Sequence, residues 1–276
     1  MCICQPLICC MCPALRRLRP LTPATAAMLP MHEFLVFAAV GAAAQLVDGA
    51  LGMAFGVASS ALLLGLGMPP ALASASVHYA ETFTSGASGI SHLAAGNVRW
   101  RLFLALAIPG VVGAVIGAQL ISQLSGNTMK LLLAPYLLLM GGLLLFRAVR
   151  GDGKREDVPR LTPPLGLVAG FLDTMGGGGW SALTVTTLVA RGLVPRYVIG
   201  STHLAKCLVS AAASVTFLLT LGQSRLLVVL GLIVGGAIAA PLGALFVRRV
   251  PARVVILLAG LAVFGLGMRN VAAAMH

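Results

Sequence analysis

The sequence predicts an all-α polytopic membrane protein built from two homologous four-segment repeats. The first observation is composition: 59% of the 276 residues are hydrophobic and 9% are charged, whereas a soluble domain carries about 25% charged residues. The second is a series of apolar segments, each long enough to cross a hydrocarbon core of about 30 Å. The third is a similarity between the two halves of the chain. Together these observations exclude an ordinary soluble enzyme.

The net charge of +12 does not indicate nucleic-acid binding in this setting. Nearly all of the arginines lie between apolar runs, where basic loop residues set the orientation of membrane helices. Glycine and alanine are abundant and aromatic residues are sparse, and small residues let helices pack closely in lipid. The lipid bilayer is therefore an expected partner of the chain, and nucleic acid is not.

Residues 1–30 come first, and we expect them to form a disordered extension. Five of the six cysteines lie within the first twelve residues. They are too close together for an ordinary structural zinc site and poorly placed for a disulfide framework. The alternatives are translation that starts at Met28 or Met31, and metal binding or lipidation at the cysteines.

The membrane part of the chain follows in two halves. A hydrophilic linker at 148–162, expected to be cytoplasmic, separates a first repeat at 31–147 from a second at 163–276. The apolar segments cover residues 34–67, 70–96, 100–124 and 127–147 in the first repeat, and 163–190, 195–221, 225–247 and 252–273 in the second.

The two halves align at a constant offset of 125 residues. This offset matches Asp48 with Asp173 and His78 with His203, so that an Asp-to-His spacing of 30 occurs in both halves. The match is informative because the chain has only seven acidic residues and five histidines. An internal duplication of this kind points towards a transporter.

The first segment of each repeat is interrupted by glycine. As one helix, residues 34–67 would run about 50 Å, well beyond a hydrocarbon core of about 30 Å. Glycines follow Asp48 and Asp173 closely, and broken backbone survives in a membrane where protein or a watery cavity satisfies it. We therefore expect each first segment to be two half-helices that meet near the bilayer interior.

The orientation of the repeats depends on whether these broken segments cross the membrane or re-enter it. If all eight segments cross, the repeats are parallel, and the Lys and Arg residues beyond residue 30, Lys206 excluded, divide nine inside to six outside. If segments 34–67 and 163–190 are re-entrant, the repeats are inverted and the division is twelve to three. The second division fits the positive-inside rule better, so we expect inverted repeats.

Glu81 and Lys206 are the most informative of the charged residues inside apolar segments. They occupy equivalent positions, each three residues after a paired histidine, His78 or His203, and residues three apart share a helix face. Charges in a bilayer are costly and usually face a partner or a pathway. We expect Lys206 to hold an anionic substrate, with Glu81 as a titratable partner for proton coupling. A structural ion pair is the alternative.

The glycine breaks fit an anion site as well. A half-helix that begins after a glycine turn directs unpaired N–H groups and partial positive charge at whatever lies before it. Asp48 and Asp173 would repel an anion if ionised there, so we expect them to cap half-helices or to be protonated. The candidate substrate-binding residues are thus Lys206, His78, His203, Gly52, Gly176, Gly177, Gly178, Gly179 and Ser181, and the candidates for proton coupling or ion pairing are Glu81, Asp48 and Asp173.

Catalytic motifs are not found. The chain has no His-Glu-x-x-His, no nucleophile elbow and no phosphate-binding loop. We expect no enzyme activity, no cofactor and no resident metal. A divalent metal cation carried by the embedded His, Asp and Glu residues is the alternative substrate, since imidazole and carboxylate are common ligands of such ions.

The broken segments resemble those of the sulfite exporter TauE/SafE family, also called the toluene sulfonate uptake permease family. The resemblance covers about residues 34–273 and rests on GAAAQLVDGALG at 41–52 and GLVAGFLDTMGGGG at 166–179. Each is followed by a Pro-x-x-x-x-x-Ser-x-His helix, beginning at Pro70 and at Pro195.

This resemblance implies a multi-pass secondary transporter in the bacterial inner membrane that carries small sulfur-containing anions such as sulfite or organosulfonates. Alternating access of one repeat against the other around a midplane site is the mechanism we expect. The direction of transport and the exact anion are left open, and a homo-oligomer is compatible with the sequence.

Overall fold

The structure is a computed structural model that describes residues 23–51, 55–124, 135–136, 138–143, 145–146, 158–222 and 226–247, together with 257, 261, 264–265 and 268. This part of the chain is helical and contains no β-strand. Its labelled helices are α1 (Pro23–Leu51), α2 (Phe55–Gly65), α3 (Pro70–Ala94), α4 (Trp100–Gln123), α5 (Thr162–Gly176), α6 (Trp180–Ala190), α7 (Pro195–Leu221) and α8 (Leu226–Val247).

The first segment of each half contains two described helices, as the sequence predicts. In the second half, α5 ends at Gly176 and α6 begins at Trp180. Gly177, Gly178 and Gly179 between them have φ values of 75°, 146° and 133°, a region of backbone space in which a side chain is strained. In the first half α1 ends at Leu51 and α2 begins four residues later.

Proline starts the helix after each broken pair. Pro70 is the first residue of α3 and Pro195 is the first residue of α7. A proline suits this position because its fixed φ is helical and its missing N–H would have no partner in the first turn. These two helices carry the paired histidines and the Glu81 and Lys206 side chains, and they pack against each other.

Glycines allow the outer helices to approach closely. α1 packs along α8, and α5 packs along α4. A Cβ atom at Gly41 would lie 2.8 Å from the Cα atom of Leu232, and one at Gly166 would lie 2.7 Å from the carbonyl oxygen of Leu106. Because Gly41 and Gly166 are equivalent positions, a similar close contact between helices occurs in both halves.

The polarity of the bundle is that of a membrane protein. Large apolar side chains point outwards, among them Phe83, Ile108 and Leu219, of which Leu219 is 81% exposed. The interior holds polar and charged side chains, including Glu81 and Asp173. Among the described helices, Trp100–Gln123 and Arg196–Leu221 are long and apolar enough to cross a bilayer by themselves. We conclude that this all-α chain is a membrane protein.

Several sequence-based expectations fall partly or wholly outside the described residues. These include residues 1–22 of the proposed extension, Gly52, most of the linker at 148–162, and most of segments 127–147 and 252–273. The described helix α1 begins at Pro23, within the stretch expected to be disordered.

The close helix contacts predict a difference between two glycine-to-alanine variants. Gly166→Ala forces a methyl group against the backbone of α4, so we expect its free energy of unfolding to fall by about 1–3 kcal/mol. Gly142→Ala is the matched control because a Cβ atom there would meet no atom of the described residues within 4 Å, and we expect it to lose no stability. Thermal unfolding in detergent measures both, and equal stability of the two variants would contradict the described packing.

Candidate functional site

The centre of the site is an ion pair between α3 and α7. The Lys206 ammonium group donates a hydrogen bond to Oε1 of Glu81, and the residues are 5% and 0% exposed. The two residues are equivalent positions of the two halves, so the pair lies where the halves meet. Oε2 of Glu81 is buried and has no hydrogen-bond partner among the described residues.

A second buried pair lies beside the first. Nε2 of His78 is 3.1 Å from Oδ2 of Asp173, and both side chains are fully buried. The other ring nitrogen, Nδ1, is 2.8 Å from the carbonyl oxygen of Ser74. This second pair joins α3 of the first half to the broken segment of the second half.

The two aspartates that occupy equivalent positions, Asp48 and Asp173, make the same local contact in both halves. Oδ1 of Asp173 accepts a hydrogen bond of 2.6 Å from the backbone N–H of Trp180. Oδ1 of Asp48 accepts one of 2.9 Å from the backbone N–H of Phe55. Each carboxylate thus satisfies a donor at the N-terminus of a half-helix seven residues further on. Both hydrogen bonds have the form of the capping contact that we expected of Asp48 and Asp173.

A cleft of about 830 Å³ opens beside the Glu81–Lys206 pair. Its walls come from α1, α2, α3, α7 and α8. Its lining is mostly small or polar, and includes Gln45, Asp48, Phe55, Glu81, Ser85, Ser88, Ser91, His92, Asn97, His203 and Lys206. The cleft therefore leads from the surface of the bundle to the central ion pair.

Ring contacts of the paired histidines repeat in the two halves. In the cleft, the rings of His92 and His203 stack with centroids 5.9 Å apart. In the buried interior, the rings of His78 and Phe217 lie 6.0 Å apart. His203 and His92 correspond to His78 and Phe217 at the offset of 125 residues. The first contact lines the open cleft, whereas the second is enclosed.

The structure brings together some of the predicted site residues and separates others. Lys206, His203, Asp48 and Glu81 line the cleft. His78 and Asp173 lie buried behind it and contact each other.

The glycines of the second break are not at the cleft. Gly176, Gly177, Gly178, Gly179 and Ser181 are buried and do not line it. The Gly177 carbonyl oxygen accepts a hydrogen bond from Ser60, and Gly178 packs against Gly56 of the first broken segment. The expected anion position at the start of α6 is instead occupied by the Asp173 carboxylate, because the chain supplies its own cap. Gly52 is outside the described residues.

Sequence reasoning missed the side chains that hold the glycine turn of the second broken segment. Ser60 and Ser74 donate hydrogen bonds to the backbone of residues 174–177, and the Tyr136 ring packs against Gly176. Serines and a tyrosine in apolar helices carry no distinctive spacing. Only the buried backbone of the glycine turn, which needs donors and close neighbours, could have suggested them.

The site could also hold a divalent cation. One ligand atom each from His78, Glu81 and Asp173 can be chosen so that all lie within 4.8 Å of one another. Imidazole and carboxylate suit such an ion. However, the Lys206 ammonium group already neutralises Glu81 in this arrangement, so a cation would have to displace it.

A helical bundle with an apolar exterior, broken helices in its core and a cleft that reaches a buried charge pair defines a membrane transporter. The particular family follows from comparison with known sequences. The model of the family described as "Sulfite exporter TauE/SafE" matches residues 37–270, and the chain belongs to this family.

Two curated relatives agree with the class of membrane transporters. The chain is 43% identical over 228 residues to the "Probable membrane transporter protein YtnM" of Bacillus subtilis. This alignment covers 79% of the chain and 76% of the relative. It is 30% identical over 118 residues to the "Probable membrane transporter protein YunE" of the same organism, covering 41% and 43%. No solved structure matches the chain.

The central ion pair predicts a specific pattern of stability. Lys206→Gln alone leaves the Glu81 carboxylate buried without its partner, so we expect a loss of about 3–5 kcal/mol in unfolding free energy. The double variant Glu81→Gln, Lys206→Gln removes both charges and should recover most of that loss. Thermal unfolding of the single and double variants tests this. If the double variant is less stable than the single variant, the pair does not act as described.

Proposed function

We propose that the chain is a secondary transporter of small sulfur-containing anions, such as sulfite or an organosulfonate. The observation that carries the proposal is the Glu81–Lys206 pair at the inner end of the cleft. The family match supports the substrate class, and the two relatives are named as probable membrane transporters. Transport without chemical change of the substrate is the expected activity, so we propose that the protein is not an enzyme.

Lys206 is the group that we assign to the anion. It is the one Lys or Arg side chain among the described residues that line the cleft, and the imidazoles of His203 and His92 also line it. An anion that enters competes with the Glu81 carboxylate for the ammonium group. Because a displaced and ionised Glu81 would be unpaired in the membrane interior, substrate binding favours uptake of a proton by Glu81 or by a neighbouring histidine. We therefore propose coupling to protons.

Equivalent pairs of helices pack together in both halves, and this supports two structural repeats. α1 and α2 correspond to α5 and α6, and α3 and α4 correspond to α7 and α8. The pairing of α1 with α8 is then equivalent to the pairing of α5 with α4, and both are extensive. We propose that the repeats are inverted, with the broken segments re-entering from opposite faces of a bacterial plasma membrane that the chain crosses several times.

Two equivalent helix interfaces differ in how extensively their helices pack, and this difference suggests alternating access. α4 packs closely on α7, whereas the equivalent α8 touches α3 less extensively, and the cleft lies on that side. Exchanging the two arrangements would close the present cleft and open one between α4 and α7. The substrate would then face the opposite side of the membrane without leaving Lys206.

The first test is ligand binding by the purified protein. Thermal shift measurements with sulfite, sulfonates, sulfate and divalent metals compare the wild type with the double variant Glu81→Gln, Lys206→Gln, which contains no unpaired central charge. We expect stabilisation by a sulfur oxyanion in the wild type and its loss in the double variant.

Two results would contradict this proposal. Stabilisation by divalent metals alone would favour the alternative substrate, a metal cation held by His78, Glu81 and Asp173. If the anion stabilised the wild type and the double variant equally, Lys206 would not be part of the anion-binding site.

Alternating access predicts a pattern of side-chain accessibility. Ser88 lines the cleft, and its equivalent Ala213 is fully buried. In a background with the native cysteines replaced by serine, Ser88→Cys should react with a membrane-impermeant thiol reagent from one side of the membrane. Ala213→Cys should react from the other side, and only when sulfite is being transported. Reaction of both positions from the same side would contradict the exchange of interfaces.

A further inference from the structure

Hydrogen-bond donors and acceptors around His78 determine how many protons its ring carries. Nδ1 lies 2.8 Å from the carbonyl oxygen of Ser74, which can only accept. The Ser74 hydroxyl group donates to the carbonyl oxygen of Thr174 at 2.6 Å, so its own proton is directed away from the ring. Nδ1 of His78 must therefore carry a proton.

The other ring nitrogen then requires a second proton. Nε2 lies 3.1 Å from Oδ2 of Asp173, while Oδ1 of Asp173 accepts from the Trp180 N–H. An ionised carboxylate only accepts, and a ring protonated at Nδ1 alone offers a lone pair at Nε2. One additional proton must lie between the two atoms. The pair is either an imidazolium with a carboxylate or a neutral imidazole with a carboxylic acid.

The charges that surround the pair agree with this proton count. Glu81 on α3 and Lys206 on α7 are its charged neighbours and neutralise each other, and the buried Tyr136 hydroxyl is a further titratable group nearby. With the additional proton, the buried cluster is neutral. Without it the cluster has a net charge of −1, which costs several kcal/mol in a membrane interior.

The equivalent pair of the other half is in a different environment. Asp48 and His203 correspond to Asp173 and His78, and both line the open cleft. Asp48 caps α2 as Asp173 caps α6. The His78–Asp173 pair is thus enclosed by the bundle, whereas the equivalent Asp48 and His203 line a cleft that opens at the surface.

We propose that the His78–Asp173 pair is the binding site of the coupling proton, with Asp48 and His203 as its counterpart in the opposite conformation. This inference rests on the proposed transport function and assigns its coupling ion to particular atoms. When the α4–α7 side opens, the pair meets water and releases its proton there. In the present conformation the proton is enclosed, so it crosses the membrane only with the change of access.

The proton count can be measured without any substrate. In protein labelled with ¹⁵N at the histidine rings and reconstituted in lipid, solid-state NMR reports which ring nitrogens carry protons, and His78→Gln assigns the His78 signals. We expect a protonated Nδ1 at neutral pH, with the Nε2 signal displaced by a shared proton. An unprotonated Nδ1 would overturn the proposal, whether or not the protein carries sulfite.

A transport measurement tests the coupling itself. Asp173→Asn retains an acceptor for the Trp180 N–H and gives Nε2 of His78 a permanent donor, but it cannot release a proton. We expect the ratio of pH-driven sulfite uptake to sulfite exchange in proteoliposomes to fall about tenfold or more. Thr186→Val is the matched control, because it is an isosteric change at a buried position of α6 whose hydroxyl group has no hydrogen-bond partner in the described part of the chain.

The rival coupling group is Glu81. If Glu81→Gln abolishes the pH dependence and Asp173→Asn leaves it intact, the proton site is not the His78–Asp173 pair, although the proposed function stands. If the wild type carries no sulfite at all, the proposed function fails, and the NMR measurement still decides the proton count.

Discussion

Neutralisation of charge inside the membrane is the constraint on which the rest of this structure depends. His78, Glu81, Asp173 and Lys206 are all buried, and an isolated charge there would be too costly to keep. They are tolerated because each lies against a partner from the other half of the chain. The same contacts that neutralise the charges therefore hold the two halves of the chain together.

The broken helices follow from this arrangement. A continuous α5–α6 helix would contain no free N–H groups for Asp173, whereas the glycine turn at 177–179 exposes the start of α6 to its carboxylate. Within this turn, the carbonyl oxygen of Gly177 accepts a hydrogen bond from Ser60 of the other broken segment. Glycine is thus required in this turn both for the backbone conformation and for close packing, and the break positions the Asp173 carboxylate beside His78.

The sequence alone predicted the parts of the fold that rest on regular patterns. Apolar length predicted the helices, the glycines within segments 34–67 and 163–190 predicted their breaks, and the shared spacing of Asp48 and His78 with Asp173 and His203 indicated equivalent positions in the two halves. It also placed Glu81 opposite Lys206. It could not predict which helix ends are already capped, because that depends on whether a carboxylate seven residues away turns back. The burial of Gly176–Gly179 and the one-sided cleft depend on packing between distant segments, which no local pattern records.

Uptake of radiolabelled sulfite into proteoliposomes that contain only this protein tests the central claim most directly. The account predicts saturable uptake that an inward proton gradient raises above the concentration outside. It also predicts that the double variant Glu81→Gln, Lys206→Gln, reconstituted to the same density, loses this uptake. Saturable uptake that is equal in the wild type and the double variant would contradict the account, because the anion would then cross the membrane without the central pair.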